Sequence, residues 1–203
     1  MVMIRISEGA ESVVYAGGIA GISCIVKRRI QKRYRIDALD MRLRISRTKS
    51  EARIISAAFK AGVNTPRVLL IDGFDLYIER LDGATMNKMV GMRGTEKFRI
   101  MCEAGRNLGL LHNADITHGD YTPANIMVDS GAVYVIDFGL AEQTTSIEEK
   151  AIDLLLMKRS VEKLHYKAFE RAYARASNDG AGTIGRLREI ELRGRYQTRT
   201  LNV

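Results

Sequence analysis

The sequence predicts an α+β fold of two small lobes, a β-rich first part over residues 1–81 and a mostly helical second part over 82–203. Two observations carry this expectation. Short β-branched runs separated by Gly and Asp-Gly turn signals fill the stretch before Leu81. After Asp82-Gly83 the apolar residues change to helical spacing. The bulk properties agree: 203 residues with 46% hydrophobic and 28% charged residues can bury a sizeable core.

Composition also excludes several classes. Two prolines and no low-complexity tract argue against a mostly disordered chain. No stretch approaches the roughly 18 apolar residues that a membrane helix needs. Met1 to Glu11 meets charge at Arg5, Glu8 and Glu11 before any long apolar run develops, so it does not read as a secretion signal, and a cytoplasmic location is expected. Cys24 and Cys102 form no CxxC pair, which removes a disulfide scaffold or a cysteine-based zinc site.

In chain order, Ser12–Ala16 and Ile22–Val26 predict a hairpin turning at Gly17-Gly18. Ile45, Ala52, Ile55, Ala58 and Phe59 predict one face of a helix from about Leu39 to Ala61, stopped by Gly62 and Pro66. Val68–Ile71 and Leu76–Ile78 flank Asp72-Gly73 as a second hairpin. Phe98–His112 and Ile147–Ala176 have helical periodicity, with short strands at Ile126–Val128 and Val133–Ile136 between them. The Asn178–Gly182 stretch is expected to break the last long helix, leaving a short basic segment at the end.

The formal charge is +8, and it is concentrated. Lys27, Arg28, Arg29, Lys32, Arg33, Arg35, Arg42, Arg44, Arg47, Lys49 and Arg53 face only Asp37, Asp40 and Glu51 in the same segment. Such a field attracts nucleic acid or phosphorylated ligands, and a solvated helical face accounts for it equally well.

The strongest chemical signal is His118-Gly119-Asp120-Tyr121-Thr122-Pro123-Ala124-Asn125, followed by Asp137-Phe138-Gly139. Phosphoryl transfer asks the protein for divalent cations across the phosphates and a carboxylate near the attacking oxygen. Asp120 can orient or deprotonate a hydroxyl or water, while Asn125 and Asp137 supply the hard oxygen ligands that Mg²⁺ prefers. Each residue alone is an ordinary turn former; their ordered combination points to a nucleotide site. Upstream, Ile6-Ser7-Glu8-Gly9-Ala10-Glu11-Ser12-Val13-Val14 occupies the place of a phosphate-covering hairpin, with Gly9 allowing close approach and Ile6 and Val14 set to sandwich an adenine ring. Lys27 follows a strand run and can emerge toward the phosphates, with Glu51 on the predicted helix as its partner. His112 and His118 read as structural rather than as a metal pair.

Together these residues resemble the protein-kinase fold in its smallest form, two-lobed and without a long activation segment. More closely, the chain is similar to the atypical kinase and ATPase subunit family of the KEOPS complex, related to the RIO kinases. The likeness rests on Lys32-Arg33-Tyr34-Arg35, Leu39-Asp40, Leu43-Arg44 and Arg47 to Arg53, then His118-Gly119-Asp120, Ile136 to Ala141, Glu149 to Leu154, and Arg193-Gly194-Arg195. It implies ATP and Mg²⁺ as cofactors. Lys27 would contact the phosphates and pair with Glu51, while the backbone of Glu79 and Leu81 would read adenine and Met127 would close the pocket from below. Asp120 would be the catalytic base, Asn125 and Asp137 the metal ligands, and Asp153 a brace for the catalytic loop. The loop residues Gly9, Ala10 and Glu11 would cover the nucleotide. The resemblance further implies a partner, the threonylcarbamoyl transferase subunit of KEOPS, with other KEOPS subunits, and tRNA met through the complex; it makes the basic segment 27–53 an element that orders the site or contacts RNA, and 186–199 one that contacts a partner or tRNA.

Departures narrow the expectation. Ser7 and Ser12 replace the outer glycines of the usual loop, and Gly119 replaces the Arg that activation-loop phosphorylation engages. Only Glu142 to Ile147 separates Asp137-Phe138-Gly139 from the next helix, which leaves no platform for docking peptides. A small-molecule kinase of the aminoglycoside or choline type, and a catalytically silent RNA-binding scaffold, stand as alternatives.

Overall fold

The structure, a computed structural model, describes residues 3–89 and 94–200, with the side chains beyond Arg193 outside the described residues. The first layer is an antiparallel sheet built from β1 (Ile4–Glu8), β2 (Ser12–Ile19), β3 (Ile22–Arg29), β4 (Val68–Asp72) and β5 (Asp75–Glu79), in the order β1-β2-β3-β5-β4. Strand β3 is central, with Lys27 opposite Val14 on one side and Leu76 on the other. Its period-2 alternation sorts its side chains. Cys24 and Val26 are buried with Tyr77 in a small outer cluster, while Ile25 and Lys27 face inward.

The first hairpin turns later than Gly17-Gly18. Those glycines continue β2, opposite Cys24 and Ser23, and the turn is Ala20-Gly21, with φ of 48° and 80°. Two consecutive positive φ values are what a tight hairpin with matching twist requires, and Gly21 supplies one without strain.

Helix α1 (Asp37–Lys60) crosses behind the sheet. Thr48, Glu51, Ala52, Ile55 and Ala58 form its buried stripe at three- and four-residue spacing. Phe59, expected on that face, is 51% exposed, and Ile54 takes the buried position instead.

The connection Leu81–Gly83 leads into the second layer. There β6 (Ala84–Thr85), β8 (Ile126–Asp129) and β9 (Ala132–Val135) form a small sheet, and β7 (Ile116–Thr117) pairs with β10 (Glu142–Gln143). Helices α2 (Gly94–Asn113), α3 (Ile147–Ser160), α4 (Lys163–Ala176) and α5 (Gly180–Thr200) pack beneath. Ile100, Met101, Ala104, Leu108 and Leu111 of α2 are fully buried against Phe169 and Tyr173 of α4, in one core that runs from Ala52 to Leu187.

Two expectations are corrected here. The periodicity over Ile147–Ala176 belongs to two helices, interrupted at Val161, whose backbone is extended; no Gly or Pro marks that break. The Asn178–Gly182 stretch starts a helix rather than ending the helical part. Asp179 Oδ1 accepts the Gly182 N–H at 3.1 Å and the Asp179 carbonyl accepts the Thr183 N–H, the signature of an N-cap. The basic end of the chain is therefore helical, with Arg186 paired to Glu148 and Glu189; Arg195 and Arg199 lie outside the described side chains. Among the described residues no helix is long and apolar enough to cross a membrane.

Candidate nucleotide and metal site

Between the two layers lies a cavity of about 440 Å³, within the range of small-molecule sites. Its roof is Ile6 and Val14 of the first strand pair, its rear wall Lys27 with Glu51 and Ile55 of α1, its floor Met127 and Ile136, and its outer edge Glu79 to Gly83. The floor is positioned by the β8–β9 hairpin. The Ile136 N–H donates to the Asn125 carbonyl at 3.0 Å, so the residue before β8 and the one after β9 are tied together, which brings Asn125 beside Asp137.

Lys27 is the centre of the charge arrangement. Its Nζ lies 2.6 Å from Glu51 Oε1 and 2.6 Å from Asp137 Oδ1. Burial alone pulls the ammonium down, but the two carboxylates more than reverse this and hold its pKa above the usual lysine value. The Asp137 carboxyl is pushed up by burial and held below the ordinary range by Lys27 and the Gly139 N–H. Asp137 has φ of 60°, a left-handed backbone that disfavours a side chain, so strain is stored at the residue that carries the acidic group.

Asn125 Nδ2 donates to the Asp120 carbonyl and to Asp120 Oδ2, both at 2.8 Å. This use of the amide nitrogen leaves Asn125 Oδ1 as an oxygen ligand. Among the described residues, no three of His, Cys, Asp and Glu form a group able to hold a metal by themselves. Asn125 and Asp137 thus offer hard oxygens but an incomplete shell, which suits Mg²⁺, an ion that keeps waters and substrate phosphates among its ligands.

The loop carrying Asp120 is fixed from below. Asp153 of α3 is fully buried; it accepts the His118 N–H at 2.7 Å, the Gly119 N–H at 2.9 Å and His112 Nε2 at 3.2 Å. His118 Nε2 meets the Ile136 carbonyl at 3.1 Å while its Nδ1 accepts the Asp120 N–H, so one neutral tautomer satisfies both bonds, and burial lowers its pKa. Gly119, with φ of 76°, sits where a Cβ would be 2.5 Å from the Leu140 carbonyl. A side chain there would push the Asp120 loop off the Leu140 backbone that follows Asp137-Phe138-Gly139. Tyr121 anchors the loop to α2 through its hydroxyl, which donates to the Ala104 carbonyl at 2.7 Å.

The cavity therefore gathers Ile6, Val14, Lys27, Glu51, Glu79, Leu81, Asn125, Met127 and Asp137, with Asp120 one hydrogen bond away. Gly9, Ala10 and Glu11 do not line it. Glu11 is turned to Arg47 at 2.5 Å, and the Ala10 carbonyl accepts from Lys32 Nζ. The Glu79 N–H is taken by the Arg67 carbonyl at 2.8 Å. Sequence reasoning missed Thr65 and Pro66 of the cavity lining, where Pro66 reads as a helix stop, and Arg29, which does not line the cavity but bonds Glu51 and reads only as part of a basic run.

A RIO-domain model matches residues 24–179, from the middle of β3 to the end of the α4–α5 connection. The chain belongs to the RIO-domain family. Along nearly its whole length this RIO-domain chain is 40% identical to the KEOPS complex subunit Bud32 of Pyrococcus abyssi, covering 98% of both chains. It is 38% identical to a serine/threonine-protein kinase BUD32 homolog of Archaeoglobus fulgidus, over 92% of this chain and 97% of that one. A bifunctional tRNA threonylcarbamoyladenosine biosynthesis protein of Methanothermobacter thermautotrophicus is 39% identical over 94% of this chain, which spans 36% of that longer protein. In three dimensions it resembles the Rio2 kinase–ADP/Mg²⁺–phosphoaspartate complex of Chaetomium thermophilum, with a TM-score of 0.64 at 15% identity over 96% of this chain and 70% of that one. The fold is thus kinase-like, in its compact form.

Proposed function

We propose that this RIO-domain chain binds Mg-ATP and serves as the kinase-type ATPase subunit of a KEOPS assembly, supporting threonylcarbamoyl modification of the adenosine next to the tRNA anticodon. The observation that carries the reading is the convergence of Lys27, Asn125 and Asp137 on one cavity, with Asp120 bonded to Asn125, in a chain similar end to end to a KEOPS subunit.

Each residue has a role its surroundings support. Ile6, Val14 and Met127 give the cavity apolar walls, and Glu79 and Leu81 line it where their backbone would meet adenine. Lys27, held by Glu51, directs a permanent positive charge at the phosphates. Asn125 Oδ1 and the Asp137 carboxylate would hold Mg²⁺, which supplies neutralisation of the charge on the transferring phosphoryl group. Asp120 orients the attacking hydroxyl or water and receives its proton. The threonylcarbamoyl transferase subunit and other KEOPS subunits are the partners of this reading, tRNA is met through that complex, and the cytoplasm is its place. Transfer to the chain itself or to a Ser/Thr hydroxyl in vitro uses the same groups.

Equilibrium binding of ATP to the full chain, with and without Mg²⁺, tests this directly. Binding that strengthens at least about tenfold with Mg²⁺ is expected, and a chain that binds no nucleotide in either condition returns the RNA-binding scaffold to first place.

A further inference from the structure

From the surface of α1 inward, six side chains alternate in sign: Arg47, Glu11, Arg29, Glu51, Lys27 and Asp137. Arg47 lies 2.5 Å from Glu11, Arg29 lies 3.5 Å from Glu11 and 2.6 Å from Glu51, and Lys27 lies 2.6 Å from both Glu51 and Asp137. The middle pair is buried, Arg29 to 5% exposure and Glu51 to 4%. Glu51 divides its carboxylate, Oε1 to Lys27 and Oε2 to Arg29. Glu11 belongs to the turn that joins β1 and β2, the strands whose Ile6, Ser7 and Val14 roof the cavity. Arg29 therefore touches a carboxylate of the turn joining the roof strands and the helix carboxylate that holds Lys27.

We propose that Arg29 is a positioning residue that fixes the orientation of Glu51, and through it Lys27, according to where the β1–β2 turn sits. The proposal rests on the nucleotide-site reading above and goes beyond it in naming the part that couples the roof of the cavity to its charged wall. A lysine ammonium is a point charge that sets a distance; the planar guanidinium fork also sets a direction. With Arg29 gone, Oε2 of a buried carboxylate has no partner. Glu51 then turns both oxygens to Lys27 and draws the ammonium toward α1, away from Asp137 and the phosphates. Displacing Glu11 acts on the same pair more weakly, because Glu11 is 49% exposed and its field is screened.

The test is Mg-ATP affinity and single-turnover ATP hydrolysis of the full chain for wild type, Arg29→Met, Arg29→Lys, Glu11→Gln and the double variant Arg29→Met/Glu11→Gln, with thermal unfolding measured beside each. Arg29→Met is expected to weaken affinity and to slow turnover at saturating nucleotide by about tenfold each, and Glu11→Gln to weaken affinity by about threefold. Glu11→Gln should add nothing once Arg29 is Met. Arg29→Lys should recover part of the turnover, since an ammonium reaches Glu51. Additive effects of the two substitutions overturn the proposal, as does a lowered unfolding temperature with affinity and turnover unchanged, which makes Arg29 a purely structural residue. Should Arg29→Met fail to fold, Glu11→Gln and Arg47→Gln at the exposed end decide it: both must weaken Mg-ATP binding, and unchanged binding overturns it. A wild-type chain that binds no Mg-ATP refutes the nucleotide-site reading itself, a different result from bound nucleotide that ignores Arg29.

Discussion

Asp153→Asn isolates the support beneath the catalytic loop. The native side chain accepts the Gly119 N–H on Oδ1, and the His118 N–H and His112 Nε2 on Oδ2; the carboxylate, His118 and His112 are buried, while Gly119 lies at the exposed edge. An amide offers one acceptor oxygen, so whichever way it turns, its NH₂ faces either the buried His118 N–H or the part-buried Gly119 N–H. His112 can adapt by exchanging tautomers, because its other nitrogen meets the Tyr173 hydroxyl at 2.8 Å, but a backbone N–H cannot. One orphaned buried donor costs about 1–3 kcal/mol. For a chain of this length about 2 kcal/mol corresponds to a fall in Tm of roughly 4–8 °C. Because Asp120 is the residue after Gly119, ATP turnover should fall by more than the stability loss alone produces at 25 °C. Thermal unfolding followed by circular dichroism, with turnover on the same samples, reads both. A Tm within 1 °C of wild type would mean that Asp153 does not hold the loop.

Asp137→Ala should abolish Mg-ATP turnover, because Asn125 alone cannot hold the cation; activity within tenfold of wild type in a steady-state assay sinks the assignment. Arg33, Arg42, Lys49 and Arg53 are exposed and have no ionic partner among the described residues, so changing all four to Gln should weaken tRNA binding and lower its salt slope by roughly 0.7–0.9 per lost phosphate contact. An unchanged slope makes that face merely solvated. Burial lowers the pKa of both His112 and His118 from the usual 6.5, so between 6.5 and their folded values the unfolded chain binds more protons. Stability is thus full above pH 6.5 and declines as pH falls below it, by up to about 1.4 kcal/mol per pH unit per histidine. A Tm that stays flat from pH 7 to 5 contradicts this.

The sequence made the site legible where chemistry and strand period coincide. Lys27 could be placed because β-branched residues precede it, and Asp137 because an apolar run ends on it. The basic run was harder, since composition does not tell a paired arginine from a free one. Arg28 is paired to Asp75, Arg44 to Asp40, and Arg29 and Arg47 to Glu11, all partners distant in sequence or hidden by helical phase. Much of what reads as a polyanion surface is internal bracing of the sheet and of α1. The α3–α4 break is illegible because Val161 is extended with no Gly or Pro beside it, and the start of α5 is ambiguous because Asp179-Gly180 signals a cap and a turn alike.

The most direct measurement of the central claim is ATP hydrolysis by the purified chain with Mg²⁺, alone and with the threonylcarbamoyl transferase subunit and tRNA, with Asp120→Ala as control. The account predicts Mg²⁺-dependent hydrolysis that the partners stimulate and that Asp120→Ala removes. Hydrolysis indifferent to both partners and to Asp120 would contradict it.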